Sequence, residues 1–145
     1  MFDFTVRKAV QEDAYSIYLL SKSALGYDYP LTKTADKLKV VLADSTQAVF
    51  VACTEEKVVG YIHLANYDVL YAPNYQNILG LAVDADFRRC GVGSALLTAA
   101  EKWAQSRNAC GIRLCSGAAR IGAHAFYKQM GYTETKIQKN FKKEF

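Results

Sequence analysis

Proline is scarce in this chain, two in 145 residues, and no apolar run reaches the length of a membrane-spanning helix, roughly 18 residues or more. The N-terminus does not begin with a basic stretch followed by an apolar one, so no secretion signal is expected. A protein of the cytoplasm, with no membrane partner, is the expectation. Histidine is rarer than cysteine, two against four, and the cysteines at 53, 90, 110 and 115 include no Cys-x-x-Cys pair and no histidine at zinc spacing. Neither a metal site nor a disulfide framework is expected, and the thiols read as reduced and buried, except Cys90, whose place in a loop leaves it accessible. One sign of charge does not dominate. Eighteen Lys and Arg face fourteen Asp and Glu, a formal net charge of +4. That balance, without a basic-aromatic recognition pattern, argues against a nucleic-acid partner. Lys136, Lys139, Lys142 and Lys143 alternate with Ile137 and Phe141 and read as a final strand with a basic side. Repeats and low-complexity segments are absent as well.

What is present is enough for one core. Hydrophobic residues make up 51% of the chain, and this length is that of a single domain, 1–145. The patterning predicts a strand over 2–8 and a helix over 11–23 with Glu12 and Asp13 in its first turn. A second helix, over 35–42, is capped by Thr34. Strands over 47–54 and 57–68 flank a turn at Glu55 and Glu56, and a loop over 69–75 precedes a buried strand over 78–83. A helix over 94–107, a strand over 111–116, a helix over 121–130 and a strand pair within 132–143 complete the chain. This order predicts an α/β fold with a mixed central sheet flanked by helices.

The segment with the most chemistry follows the buried strand. Arg88-Arg89-Cys90-Gly91-Val92-Gly93-Ser94 is a basic, glycine-spaced loop running into an alanine-rich helix. Backbone N–H groups at a helix start, with the positive end of the helix dipole behind them, suit a phosphate or pyrophosphate. Gly91 and Gly93 let a ligand approach the backbone. A Walker loop would need Lys after the second glycine, and a dinucleotide fingerprint a third glycine where Leu96 stands, with an acidic residue about 20 positions on. Both requirements fail. A plain turn with two solvated arginines is the alternative.

The segment Arg88 to Gly93 resembles the acetyl-CoA loop of the GNAT N-acetyltransferases, Gln/Arg-x-x-Gly-x-Gly/Ala. Further on, Ala123-His124-Ala125-Phe126-Tyr127-Lys128-Gln129-Met130-Gly131-Tyr132 resembles the second signature of that family, Ala-x-x-Phe/Leu-Tyr-x-x-x-Gly-Phe/Tyr, at the usual distance. The resemblance extends over nearly the whole chain. It implies the GNAT fold, splayed at its central strands to admit acetyl-CoA. It further implies transfer of an acetyl group to a primary amine, most in keeping with a small-molecule branch; a phosphonate substrate is a weaker suggestion of the same resemblance. Acetylation of a protein lysine or N-terminus and a non-catalytic acyl-CoA-binding or regulatory role are the alternatives. A homodimer is implied by the family alone.

By that resemblance, amides from Arg89 through Cys90, Gly91, Val92 and Gly93 to Ser94 would cradle the pyrophosphate, with Arg88 and Arg89 adding charge. Leu81, Ala82 and Val83 would lie along the pantetheine arm, and an amide near Val83 would serve as donor to the thioester oxygen. Tyr127 is the candidate general acid, since a phenol stays protonated at neutral pH; packing against the arm is its other reading. Arg120, His124 and Tyr127 are spaced to share one helical face. Arg120 contacts the cofactor or an anion near it, or is simply solvated. His124 reads as a hydrogen-bonded packing residue, and Cys90 as a minor candidate for catalysis. No carboxylate stands on the central strand where relatives often carry Glu: Asn77 and Gly80 occupy the plausible places. The base is left open among a water relay to Asp68, to His63 or to a carbonyl. Tyr27, Asp28, Tyr29 and Tyr71 are the candidate acceptor residues, with Tyr67 and Tyr75 extending a tyrosine-lined pocket.

Overall fold

A computed structural model describes residues 3–145, so Phe2 of the first expected strand lies outside the described residues. Two compact units divide the chain, Met1–Leu114 and Cys115–Phe145. The first holds a five-stranded sheet in the order of the sequence: β1 (Thr5–Lys8), β2 (Gln47–Cys53), β3 (Val58–Tyr67), β4 (Tyr75–Val83) and β5 (Ile112–Leu114). The first four pair antiparallel, and β5 joins β4 in parallel. The parallel step needs a crossover, supplied by α3 (Val92–Ser106).

Alternation along the strands sorts the two faces. Val49, Val51, Tyr61 and Ala82 belong to one buried cluster with Ile17 and Leu20 of α1 (Ala14–Leu25) and Leu38 and Val41 of α2 (Leu31–Ala43). The opposite face carries Gly60, Ile62 and Leu64 and meets α3. A Cβ on Gly60 would stand 3.0 Å from Val92 Cγ1 and 3.1 Å from Leu96 Cδ1, so the helix sits directly on this glycine. Ile62, Leu64, Leu96 and Leu97 are fully buried there, each worth about 1.5–3 kcal/mol.

Several local expectations change. The first helix opens with a 3₁₀ turn, Gln11–Asp13, and Asp13 is buried. Its carboxylate accepts from Arg7 Nη1 at 2.8 Å, Arg7 Nη2 at 3.0 Å and the Val10 amide at 2.8 Å. Burial alone would push this carboxyl up, but the guanidinium and the amide outweigh it and hold it below its ordinary value. Asp13 therefore ties β1 to the helix start rather than merely facing a dipole. The second helix begins three residues before the expected Thr34 cap, because Pro30 supplies an N-cap with φ −53° that leads straight into it. Two thiols expected to be buried are not: Cys110 and Cys115 are exposed beside the short β5, while Cys90 is exposed in its loop as expected. In the second unit, α4 (Ile121–Gln129) is the regular element, and the strand pair expected within 132–143 is absent, residues 133–145 having no regular structure and mostly exposed side chains. With their apolar side chains unburied, the alternating Lys and apolar residues have no face to pair.

Candidate active site

The central strand departs most usefully from a uniformly buried one. Opposite β3, His63 pairs with Gly80 and Leu64 with Ile78, which leaves Leu79 as an extra residue on β4. This β-bulge leaves Leu79 54% exposed. The pairing of β4 with β5 stops at the same point: Gln76 faces Ile112, Asn77 faces Arg113, Ile78 faces Leu114, and no further pair forms. From Leu79 to Val83 one edge of β4 is therefore open. The Asp84 amide donates to Val59 O at 2.8 Å, toward β3. By alternation the Ala82 backbone also faces β3, while those of Leu81 and Val83 face the open edge. Ala82 contributes its side chain to the core, 1% exposed, so of the three expected strand residues two turn their backbones outward.

The chain leaves this edge through Asp84, whose carboxylate caps a 3₁₀ turn, Ala85–Phe87, by accepting from the Asp86 amide at 3.0 Å. It also pairs with Lys57 at 3.2 Å. Arg88 follows in extended conformation, Arg89 takes φ 59°, and Gly91 takes φ 86° as the N-cap of α3. Changes of backbone hand within a few residues curl successive N–H groups into a concave nest. No side chain caps α3, whose first helical bond from the cap is Ala95 N–H to Gly91 O at 3.0 Å. The amides of Val92 and Gly93 thus have no acceptor within the helix. Val92 turns its side chain into the core, 1% exposed, and offers the amide only. Cys90 lies in the exposed part of the loop, its thiol 3.4 Å from Arg88 O. An uncapped helix start, a nest with a glycine at positive φ and two arginines fit a pyrophosphate, and an open strand edge beside them fits an amide-bearing arm.

On the α1/α2 face lies a cavity of about 190 Å³ lined by Ser21, Tyr27, Tyr29, Lys37, Tyr61 and His63 over a floor of aliphatic side chains. Tyr61 Oη and Ser21 Oγ are 2.7 Å apart; the serine donates on to Ile17 O at 2.8 Å, so the phenol donates to the serine. Burial pushes the Tyr61 phenol up. His63 stands across from Gly80 on this face, and burial pushes its imidazole below the ordinary value.

The candidate acceptor residues separate. Tyr27 and Tyr29 border the cavity. Asp28 turns away, to Tyr18 Oη at 3.3 Å and Lys22 Nζ at 3.8 Å. Tyr71 is 83% exposed and belongs with Tyr67, whose ring stacks under the Arg113 guanidinium at 4.2 Å. Tyr75 packs over Gly111, where a Cβ would lie 3.1 Å from its ring. The tyrosines thus form two groups. Ser21, Lys37 and Tyr61 were not among the residues expected at a site; they come from three separate elements with no local motif to mark them.

In the second unit, Tyr127 sits on α4 with its ring 5.2 Å from Phe126 and 5.8 Å from Tyr132. Burial pushes its phenol up, and the Arg120 guanidinium pulls the other way. Arg120 is the N-cap of α4, with φ −87° and ψ 65°, so it precedes the helical face that it was expected to share with His124 and Tyr127. The His124 ring donates from Nε2 to Gly117 O at 2.9 Å and holds the loop before the helix.

Comparison with known proteins agrees with this fold. The sequence model of the acetyltransferase (GNAT) family matches residues 9–132. An N-alpha-acetyltransferase of Sulfurisphaera tokodaii is 28% identical over 96% of this chain and 86% of its own. Streptothricin acetyltransferase A of Bacillus subtilis is 32% identical over 66% of this chain and 55% of its own. Among solved structures, AAC(6')-Iy with a bisubstrate analogue of CoA superposes with a TM-score of 0.87 at 16% identity, covering 99% of both chains. The expected mixed sheet flanked by helices is the fold of these proteins. The chain belongs to the GNAT acetyltransferase family, an N-acetyltransferase that takes its acetyl group from acetyl-CoA.

Proposed function

We propose that this enzyme acetylates a small monoamine whose amino end enters the cavity beneath α1 and α2. The lining carries this reading: two exposed tyrosines at the border, an imidazole, one lysine and no carboxylate. A polycationic acceptor needs acidic side chains to neutralise its several charges, and a cavity of about 190 Å³ suits a single amino group with a short apolar or aromatic body. A relative named for streptothricin supports a small-molecule acceptor.

Acetyl-CoA supplies an activated thioester and a thiol as leaving group. The residues that would hold it are the loop amides from Arg89 to Ser94, with Arg88 and Arg89 adding positive charge, and the outward backbones of Leu81 and Val83. Tyr127 is the candidate proton donor to the departing sulfur. Burial keeps its phenol protonated, which suits a donor to a thiolate. Arg120 would meet an anionic group of the donor.

The test is thiol release from acetyl-CoA with 2-phenylethylamine, tyramine, spermidine, tobramycin and a tetrapeptide amine, for the wild type and Tyr127→Phe. Monoamines are expected to show the highest kcat/KM, and the substitution to lower kcat by about 100-fold. Preference for spermidine, tobramycin or the peptide overturns the acceptor class; an unchanged kcat overturns the role of Tyr127.

A further inference from the structure

The base missing from the central strand has a substitute on the strand beside it. Gly80 has no side chain, and its cross-strand partner is His63, on the same sheet face as Tyr61. His63 Nε2 lies 2.7 Å from Gln47 Oε1, and Gln47 Nε2 donates to Asp44 Oδ2 at 2.9 Å. Asp44 also accepts from the Thr46 amide at 2.9 Å and the Thr46 hydroxyl at 2.7 Å through Oδ1. The Gln47 amide and the Thr46 groups hold its carboxyl down to about 2, so near neutrality it only accepts.

This chain of bonds determines the tautomer. An ionised carboxylate must face the nitrogen end of the Gln47 amide, which turns the oxygen end to His63. An amide oxygen only accepts, so His63 Nε2 carries the ring proton. The lone pair of the neutral imidazole is then on Nδ1, the nitrogen that Gln47 does not engage, in a ring that lines the cavity. An acceptor ammonium in that cavity meets a fixed, neutral ring rather than a rotating one.

We propose that His63 is the general base: Nδ1 takes one proton from the R–NH3+ acceptor, giving R–NH2 and an imidazolium that returns the proton to water. Gln47 and Asp44 are positioning residues that hold the tautomer. The proposal rests on the cavity being the acceptor site. The titratable and charged groups facing the ring are Tyr61 of β3, Tyr27 and Tyr29 before α2, Lys37 of α2, and Asp44 through Gln47. Imidazole is the one side-chain type among them that ordinarily titrates near neutrality.

The test compares the wild type with His63→Gln, which can still donate to Gln47, and with Gln47→Leu. Kinetics use whichever amine of the panel turns over fastest, beside nitrogen NMR of the ring and calorimetry of acetyl-CoA binding. In the wild type the ring should be the Nε2–H tautomer, titrating below 6.5. The acidic limb of kcat/KM should follow that titration. His63→Gln should lower kcat by about 100-fold and remove the limb, with acetyl-CoA affinity unchanged. Gln47→Leu should mix the tautomers and lower kcat by less, which keeps the test available should the first variant fold poorly. An Nδ1–H tautomer, or a limb and kcat unaffected by His63→Gln, overturns the proposal. Failure of the wild type on every amine overturns the acceptor reading instead, while the NMR still decides the tautomer lock.

Discussion

Along the open edge of β4, residues 79–94 are one continuous piece of backbone, and the proposed anion cradle is drawn from it alone. On the face under α1 and α2, the cavity draws Ser21 from α1, Tyr27 from the loop before α2, Lys37 from α2, and Tyr61 and His63 from β3. The first region works through amides, whose positions follow from φ values and helix capping. The second works through side chains, whose positions follow from how the helices pack on the sheet. The bulge at Leu79 joins them. It marks the end of the β4–β5 pairing and stands beside Gly80, the residue opposite His63.

If the two regions are separate in this sense, substitutions should separate donor from acceptor. The largest effect in the cradle is expected for Gly91→Val. At φ 86° a side chain costs roughly 1–2 kcal/mol or more if branched, so acetyl-CoA binding by calorimetry should weaken by about tenfold while the amine KM holds. A rise in the amine KM as large as the loss of affinity would show that the cradle and the cavity are one unit. Tyr27→Ala is the reverse experiment. Its ring borders the cavity but is largely exposed, so steady-state kinetics should show the amine KM rising about threefold to fivefold, on the order of 1 kcal/mol, with acetyl-CoA affinity retained.

The smallest effect is on stability against pH, and it belongs to the cavity. The folded His63 pKa lies below the 6.5 of a free imidazole because the ring is largely withdrawn from water. Between those two values the unfolded chain binds more protons than the folded one, so stability falls as pH drops from 6.5 toward the folded pKa and is level above 6.5. Thermal melts across that window should show this slope for the wild type and lose it in His63→Gln; identical slopes would mean that the ring is not buried as described.

How far each region could be read in the chain follows the same division. Arg88, Gly91 and Gly93 are neighbours, and the helix after them shows its apolar period within a few turns, though it begins at Val92 rather than Ser94. Tyr27 and Tyr29 could be named as candidates, but Tyr71 could not be told apart from them, because exposed loop tyrosines look alike in sequence. The lysine-rich end alternates like a strand and forms none. The relay from Asp44 through Gln47 to His63 spans a helix end and two strands, and only the β2–β3 register brings it together.

By itself, then, the sequence determined the basic glycine-spaced loop, the second signature around Tyr127 and the order of strands and helices as far as α4. Those depend on backbone preference and on short-range periodicity, which a contiguous stretch contains in full. Only the tertiary structure decided that β4 bulges at Leu79, that its edge opens beyond Ile78, and that His63 stands opposite a glycine with its Nε2 against Gln47. Each of these depends on register, and register is settled by which faces of distant strands and helices bury one another.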